Sequence, residues 1–537
     1  MGNYLNSRKR YMLYRSEVLG DYFVDKSLLL QELFPLVKRG NQYICITRPR
    51  RFGKTVMANM LGAFFSKGFD SHDVFDRLRI HACEGYETHI NQHQVIYISF
   101  NELPRNCTSY EQYMERIQNR LVADLQALCP EYAIRQEDAV WDILDEISEA
   151  RDNMQFIFIL DEWDFIFHRD FITEQDKKSF LNFLSNLLKD KAYVSLAYMT
   201  GILPIAKYSS GSELNMFLEY TMTTEARFSD YFGFTESEVD ELYETYRKRN
   251  PAPKVTREGL GSWYNGYHTC SGERVYNPRS VVASLTNNNL GNYWTSAGPY
   301  DEIFYYIEKN VGEVREDLAL MVSGVSVPAK IQEYAATSMN LQTKDEIFSA
   351  MVVYGFLSYD KGMVSIPNRE LMDKFADMLR KEPSLGYVHR LARESARMLK
   401  ATLEGDTKTM LEILEYAHDT EIPLLSYNHE TDLTAVVNLV YLAARDSYRV
   451  EREDKAGIGY VDFIFYPELD KSADGIILEL KVNHTPEEAI AQIKERKYAL
   501  RFRGKLGEEP KYTGRIFGVG IVYDKESKKH SCIVEEL

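Results

Sequence analysis

The sequence predicts an α/β chain, with a parallel sheet flanked by helices in the N-terminal part, a mainly helical middle and a second α/β unit at the C-terminus. Three observations carry this. Short β-favouring runs alternate with helical-period segments as far as Thr200. A Gly-Lys-Thr loop stands between the first of those runs and its helix. Near the C-terminus, two apolar runs bearing acids are followed by a helix and a further apolar run. At 537 residues the chain exceeds a single core. The expected divisions are 1–235, 236–420 and 421–537.

Tyr43–Thr47 is a short apolar run, whereas Val56, Met57, Met60, Leu61, Phe64 and Phe65 recur at helical spacing. Between them lies Arg48-Pro49-Arg50-Arg51-Phe52-Gly53-Lys54-Thr55, with Arg48 where such loops usually have their first Gly. A loop between strand and helix surrounds phosphates with backbone N–H groups. Here Arg50, Arg51, Phe52, Gly53, Lys54 and Thr55 form the cradle, Lys54 reaches the β and γ oxygens of ATP, and the Thr55 hydroxyl joins the Mg²⁺ shell.

Gln155–Glu162 is an apolar strand ending in two acids. Such a strand lies beside the phosphate-loop strand, so that Asp161 holds Mg²⁺ through water and Glu162 orients or deprotonates the attacking water. Gln94–Phe100 and Tyr193–Thr200 supply further strands of the same sheet. Thr200 is either a sensor of the γ-phosphate or a polar residue closing a strand. Arg50, Arg51 and Arg227 are the candidates for transition-state charge, in cis or from a neighbouring subunit, and the pattern does not choose among them.

The segment 236–420 reads as mainly helical, broken at Asn287-Asn288-Asn289 and Ser296-Ala297-Gly298-Pro299. Tyr264-Asn265-Gly266-Tyr267 and Asn277-Pro278 are turn chemistry, consistent with a lid packed on the nucleotide domain. Phe348–Leu379 reads helix, hairpin, helix, with Lys361-Gly362 as the turn, like a small winged-helix element. A helix over Thr409–Tyr416 leads into the last domain.

There, Val461–Tyr466 and Gly475–Val482 read as a hairpin with a polar turn from Asp470 to Asp474. Residues two apart in a strand share a side, so Asp462, Glu479 and Lys481 face one way. Two carboxylates hold Mg²⁺ or Mn²⁺, and Lys481 positions or helps deprotonate a water that attacks a phosphodiester. Lys481 as a structural partner of Glu479 is the alternative. Helices are expected before this hairpin, from Asp432 to Arg445, and after it, from Thr485 to Tyr498, with a core strand at Ile516–Tyr523.

Composition bounds the partners. A 45% hydrophobic share with 27% charged residues is that of a soluble globular protein, and no apolar run approaches the roughly 20 residues that cross a bilayer. Met1-Gly2-Asn3-Tyr4-Leu5-Asn6 has neither a signal-peptide core nor a myristoylation Ser or Thr, so a cytoplasmic location with no membrane partner is expected. The six cysteines are scattered and read as reduced thiols. A net charge of -16 argues against non-specific coating of nucleic acid but leaves room for a local site. Lys494–Lys505 packs six basic residues around Tyr498 and Phe502. It is either a surface that binds a phosphate backbone and stacks a base, or a solvated basic helix.

With these motifs in order, the chain resembles the bacterial AAA-ATPase-like proteins that carry a C-terminal PD-(D/E)XK nuclease-superfamily domain. The resemblance rests on Phe23-Val24-Asp25-Lys26-Ser27, the 48–55 loop, Leu160-Asp161-Glu162-Trp163-Asp164, Thr200-Gly201, Phe232-Gly233-Phe234-Thr235, Trp263–Tyr267, Val275-Tyr276-Asn277-Pro278, Tyr354-Gly355-Phe356-Leu357 and Ile366-Pro367-Asn368. It continues through the C-terminal domain, and that family also places Arg at the first loop Gly. Ile202-Leu203-Pro204-Ile205 departs from the family's more polar stretch. The resemblance implies a P-loop NTPase, and a nuclease-like centre in which Asp462, Glu479 and Lys481 match the motif and Gln492 matches its helix. Glu430, Asp432 and Glu453 compete for the further upstream acid. The implied function is ATP binding and hydrolysis controlling a metal-dependent nuclease on DNA or RNA, in defence or mobile-element maintenance. A non-catalytic ATP switch and a remodeller with a degenerate nuclease domain are the alternatives. Monomer and homo-oligomer both stay open.

Overall fold

The computed structural model describes residues 2–38, 41–132, 134–135, 138–205, 213–294, 311–331, 341, 343–419, 430–456, 459–467, 470–503 and 512–537. The chain divides into two compact units, one of Met1–Ile303 with Pro328–Glu370 and one of Phe304–Val327 with Leu371–Leu537. Among the described residues no helix is long and apolar enough to cross a membrane.

The first unit is built on five parallel strands, β1 (Tyr43–Thr47), β2 (Gln94–Ser99), β3 (Phe156–Asp161), β4 (Val194–Gly201) and β5 (Leu218–Tyr220). Their order across the sheet is β2-β3-β4-β1-β5. β1 to β4 read as near-continuous apolar runs because helices cover both faces, the usual condition of a parallel sheet. Ile98, Phe158, Leu160 and Met199 enter one core, whereas Ile44, Ile46, Ile159 and Tyr198 enter the other. The helix Lys54–Phe65 is buried along almost its whole length, with Phe64 and Phe65 packed among Phe34, Phe75 and Tyr86. Ser109 and Thr173 cap the helices Tyr110–Leu128 and Glu174–Leu188 through their side chains.

One expectation is corrected by this order. β3 does not lie beside β1: β4 pairs with both and separates them. The helix after β3 returns the chain into the gap between β1 and β3, which puts Thr200 rather than Asp161 on the strand next to the phosphate loop. β5 is too short and too exposed at Leu218 to announce itself by apolar pattern.

The middle is mainly helical, as expected. Helices Glu236–Arg249, Arg257–Tyr264, Pro278–Asn287, Lys344–Tyr354, Arg369–Lys381, Tyr387–Glu404 and Thr407–Asp419 are all present. Asn277 accepts from Ser280 N at 3.2 Å ahead of Pro278, and Asn288 ends that helix at φ 51°. Gly266, at φ 110°, has no room for a Cβ, which would meet the Pro367 carbonyl oxygen. The helix-hairpin-helix reading holds: β6 (Ser358–Asp360) and β7 (Met363–Ser365) pair across Lys361 and Gly362, both at positive φ. Ser296–Pro299 lies outside the described residues.

The C-terminal sheet runs β8 (Tyr448–Ala456), β9 (Gly459–Pro467), β10 (Gly475–Val482), β11 (Ile516–Asp524) and β12 (Lys529–Glu536) in that order. Only β10 and β11 are parallel, and the helix Pro486–Glu495 makes their crossover. Thr485 and Glu488 form a capping box at its start, with Pro486 in the first turn. The helix stops at Glu495 instead of reaching Tyr498, because Lys497 turns back at φ 53°. The preceding helix likewise spans Glu430–Val440, and a 3-10 turn covers Leu442–Asp446.

Candidate functional site

At the C-terminal end of the parallel sheet, a cavity of about 910 Å³ is lined by Arg50, Arg51, Phe52, Gly53, Lys54 and Thr55, together with Glu162 and Asp164. Its size falls within that of small-ligand sites. The loop is shaped by two left-handed residues, Arg51 at φ 72° and Gly53 at φ 87°, directly before the helix N-terminus. Phe52 is buried edge-on to Tyr267, with ring centroids 4.9 Å apart. Arg48, in the place of the first Gly, turns inward. It donates to the carbonyls of Thr47 and Tyr220, both at 2.8 Å, and lies over Phe232. It thereby ties the loop to β5 and to the segment that follows it.

Lys54 donates to the carbonyl oxygens of Arg48 at 2.7 Å and Pro49 at 2.9 Å. Burial lowers its ammonium pKa to about 8, partly offset by Asp164, Glu162 and Asp161. The charge is therefore held inside the loop that would receive phosphate. Asp161 is fully buried and accepts from Thr200 Oγ1 at 2.6 Å and from Tyr97 at 3.2 Å. Asp161 and Thr200 lie behind the lining formed by Lys54 and Glu162. Thr200 thus fixes the Asp161 carboxylate. Glu162, at φ 56°, has its pKa raised by burial first and by Asp161 second, while Asn101 and Lys54 oppose the shift. Of the candidate arginines, Arg50 and Arg51 face the cavity. Arg227 instead lies over Phe228 and near Glu32.

One participant carries no sequence signal of its own. Arg279, just after the Asn277-Pro278 helix start, lines the same cavity and adds its charge to that of Arg51. Asp164 accepts from the backbone of Ile202 and Leu203 at 2.8 and 2.7 Å, shaping the turn after β4. Those bonds are made by backbone N–H groups, so they do not depend on the side chains of Ile202 and Leu203. Gly201 is needed because a Cβ there would meet Trp163 at 2.5 Å. Away from the loop the cavity is lined by Tyr22, Phe23, Val24, Phe234 and Val282, a surface suited to a flat apolar ring.

The second candidate centre lies on β9 and β10. Phe463 pairs with Leu478, so Asp462 and Glu479 occupy the next opposed positions. Asp462 accepts from Leu480 N at 2.7 Å. Glu479, only 2% exposed, accepts through Oε1 from Lys481 Nζ at 2.9 Å and from the Gln492 amide on the crossover helix. Burial first and Asp462 second push its carboxyl pKa up to about 7. Glu479 Oε2 is buried and has no hydrogen-bond partner among the described residues. Two adjacent carboxylates, one with an orphaned oxygen, fit a hard divalent cation. Among the described residues no group of three or more His, Cys, Asp or Glu is gathered for a metal. The side chains of Glu430, Asp432 and Glu453 lie outside the described residues.

The structure overturns the base-stacking reading of 494–505. Tyr498 is 0% and Phe502 5% exposed, and both belong to the core of this sheet. Lys494 pairs with Glu535, and Arg501 stands 3.6 Å from Glu451. Gly504 and Lys505 lie outside the described residues.

Residues 15–210 match the model of a family described as a predicted AAA-ATPase, and residues 433–531 match that of the PD-(D/E)XK nuclease superfamily. No curated protein matches the chain. Among solved structures, the Walker-type ATPase PABY2304 of Pyrococcus abyssi is 11% identical, covering 65% of this chain and 94% of its own, with a TM-score of 0.36. The ORC2 protein of Aeropyrum pernix, solved in ADPNP-ADP complexes, is 12% identical, covering 70% and 98%, with a TM-score of 0.30.

Proposed function

We propose that this chain, in which an AAA-ATPase-like domain precedes a PD-(D/E)XK nuclease-superfamily domain, hydrolyses ATP to control metal-dependent cleavage of nucleic acid. The observation that carries the nuclease half is the orphaned, buried Glu479 Oε2 beside Asp462, with Lys481 and Gln492 on the same carboxylate. In this reading 1–235 binds and hydrolyses ATP, 236–420 is the lid and connection, and 421–537 is the nuclease-like domain.

At the first site Lys54 leaves the carbonyls of Arg48 and Pro49 for the β and γ phosphates, and Gly53 and the helix N-terminus offer N–H groups to them. Thr55 and Asp161 would hold Mg²⁺. Thr200 keeps the Asp161 carboxylate in place. Glu162 accepts the proton of the attacking water, and Arg50, Arg51 and Arg279 face the developing charge. At the second site Asp462 and Glu479 would hold Mg²⁺ or Mn²⁺, which supplies charge stabilisation to a phosphodiester under attack. Gln492 orients Glu479, and Lys481 positions the attacking water. DNA or RNA as substrate, and a role in defence or mobile-element maintenance, are the biological form of this proposal.

The test is cleavage of labelled single- and double-stranded DNA and of RNA, with Mg²⁺ or Mn²⁺, with and without ATP, against Glu479→Ala. Cleavage that needs metal and is lost in the variant is expected. Cleavage that survives in Glu479→Ala would reject the site, and cleavage indifferent to ATP would reject the control.

A further inference from the structure

One buried cation of the first unit lies outside the phosphate loop. Arg10, on the helix Arg8–Val18, is 5% exposed. Its guanidinium carbon stands 3.7 Å from the centroid of the Tyr97 ring, and its Nε is buried without a hydrogen-bond partner among the described residues. Glu102 is the acid its charge reaches: against the upward push of burial, Lys9, Arg10 and Arg116 hold that carboxyl below its usual range. Glu102 is bonded by Lys9 at 2.8 Å, and among the described residues Arg10 has no carboxylate partner of its own. Burying a guanidinium in this way is costly, and an aromatic face offsets part of the cost. Gly62 of the helix Lys54–Phe65 makes room for the contact, since a Cβ there would stand 3.1 Å from Arg10 Cβ and 3.2 Å from Tyr97 Cδ2.

Tyr97 carries this contact to the nucleotide site. In the parallel pairing of β2 with β3, Ser99 stands opposite Asp161 and Tyr97 opposite Ile159. Residues two apart in a strand share a face, so Tyr97 and Asp161 lie on one side of the sheet, within reach of a long side chain. The Tyr97 hydroxyl donates to Asp161 Oδ2 at 3.2 Å, and Thr200 Oγ1 donates to Oδ1 at 2.6 Å. The two donors come from β2 and β4, the strands on either side of β3, so the carboxylate is held from both flanks. Each oxygen keeps lone-pair capacity beyond its one bond, which suits the water shell of a hard divalent cation. The guanidinium over the ring draws electron density from the phenol and strengthens its O–H as a donor. Tyr14 and Tyr198, which fill the same core, have buried hydroxyls without a hydrogen-bond partner among the described residues. Tyr97 differs from them in having an acid at its hydroxyl and a cation at its face.

We propose that Tyr97 is a positioning residue for Asp161 in ATP hydrolysis, and that Arg10 acts through the Tyr97 ring. The helix Arg8–Val18 thereby helps to set the carboxylate that would hold the nucleotide's divalent cation. This rests on the ATPase reading above and extends it to two residues that do not line the nucleotide cavity.

The test is titration of Mn²⁺ into the full chain holding a non-hydrolysable ATP analogue, read by electron paramagnetic resonance in a Glu479→Ala background so that the second centre is silent. ATP turnover against Mg²⁺ and melting temperature accompany it. Tyr97→Phe keeps the ring under Arg10 and removes only the donor. Half-saturating Mn²⁺ and Mg²⁺ should each rise about tenfold in that variant, with turnover returning to within about twofold of the wild type at saturating Mg²⁺. Its affinity for the metal-free analogue should hold. Whichever of Arg10→Met and Arg10→Lys folds should raise both half-saturation values about threefold beside Tyr97 and leave them unmoved in the Tyr97→Phe chain. A lower melting temperature with an unmoved metal titration in Tyr97→Phe overturns the inference and leaves the ATPase reading standing. An Arg10 effect that persists at full size in the Tyr97→Phe chain overturns the route through the ring. A wild-type chain that takes up no Mn²⁺ with the analogue and turns over no ATP overturns both readings.

Discussion

At Lys54 the site is built on backbone: a helix N-terminus, loop carbonyls that Lys54 bonds, and a loop shaped by left-handed residues at Arg51 and Gly53, with Glu162 left-handed at the end of β3. At Glu479 it is built mainly on side chains, set on one antiparallel strand pair and one crossover helix, with Leu480 N donating to Asp462 from the backbone. The first arrangement costs strain, on the order of 1–2 kcal/mol for each non-glycine left-handed residue, and so needs a distinctive sequence. The second needs only alternation along a strand. A backbone-built site is therefore announced by its own residues, whereas a side-chain-built site is announced by the order of the elements around it.

The largest expected effects separate the two sites by chemistry. Glu479→Ala should lower metal-dependent cleavage by about 10²–10⁴-fold and leave ATP turnover intact, whereas Glu162→Gln should lower ATP turnover by a similar factor, keep the Asp462 and Glu479 centre able to bind metal, and uncouple cleavage from ATP hydrolysis, as steady-state rates on both substrates would record. If Glu479→Ala silenced ATP turnover as well, the sites would not be chemically independent. Lys54→Ala should weaken ATP binding about 100-fold in calorimetry, since a buried charged donor to phosphate is lost, without moving divalent-metal affinity at Asp462 and Glu479.

A pH titration sharpens the contrast further. The Glu479 carboxyl, pushed up to about 7, holds its proton below that value, so divalent-metal affinity should rise with pH and change about tenfold per unit on the acid side. Glu479→Gln should abolish both the binding and its pH dependence. A raised carboxyl pKa stabilises the fold below the ordinary 4.5 and loses that contribution as pH climbs through about 7. The metal-free Gln variant should therefore melt higher than the wild type at pH 8, by the equivalent of about 1–3 kcal/mol. A lower melting temperature would show that Glu479 is needed by the fold and not only by the metal. The smallest effect is at Thr200→Val, which removes the 2.6 Å bond to Asp161: nucleotide binding should hold and turnover fall about tenfold.

The same contrast decides what was legible. The phosphate loop, the Asp161-Glu162 strand end and the pairing of Asp462 with Glu479-x-Lys481 could be read because local periodicity fixes them: strand, loop, helix in one case, and a two-residue repeat in the other. Gln492 came from the resemblance. Arg279 and Asn101 could not be read, because each is brought to the site by the packing of distant segments: Arg279 lines the cavity and Asn101 bonds to Glu162. The 494–505 segment misled, since its charges suggested a surface while Tyr498 and Phe502 carry the apolar area that closes the C-terminal core.

By itself the sequence determined the fold class, the two candidate centres and the residue types each would use, because short-range hydrophobic period and turn chemistry are properties of neighbouring residues. Tertiary structure alone decided that β4 stands between the phosphate-loop strand and the acid-bearing strand, so that Thr200 bonds to Asp161. It also decided that Tyr498 and Phe502 of the basic 494–505 segment are buried: burial is settled by whatever packs against a side chain, and its own neighbours in sequence do not say what that is.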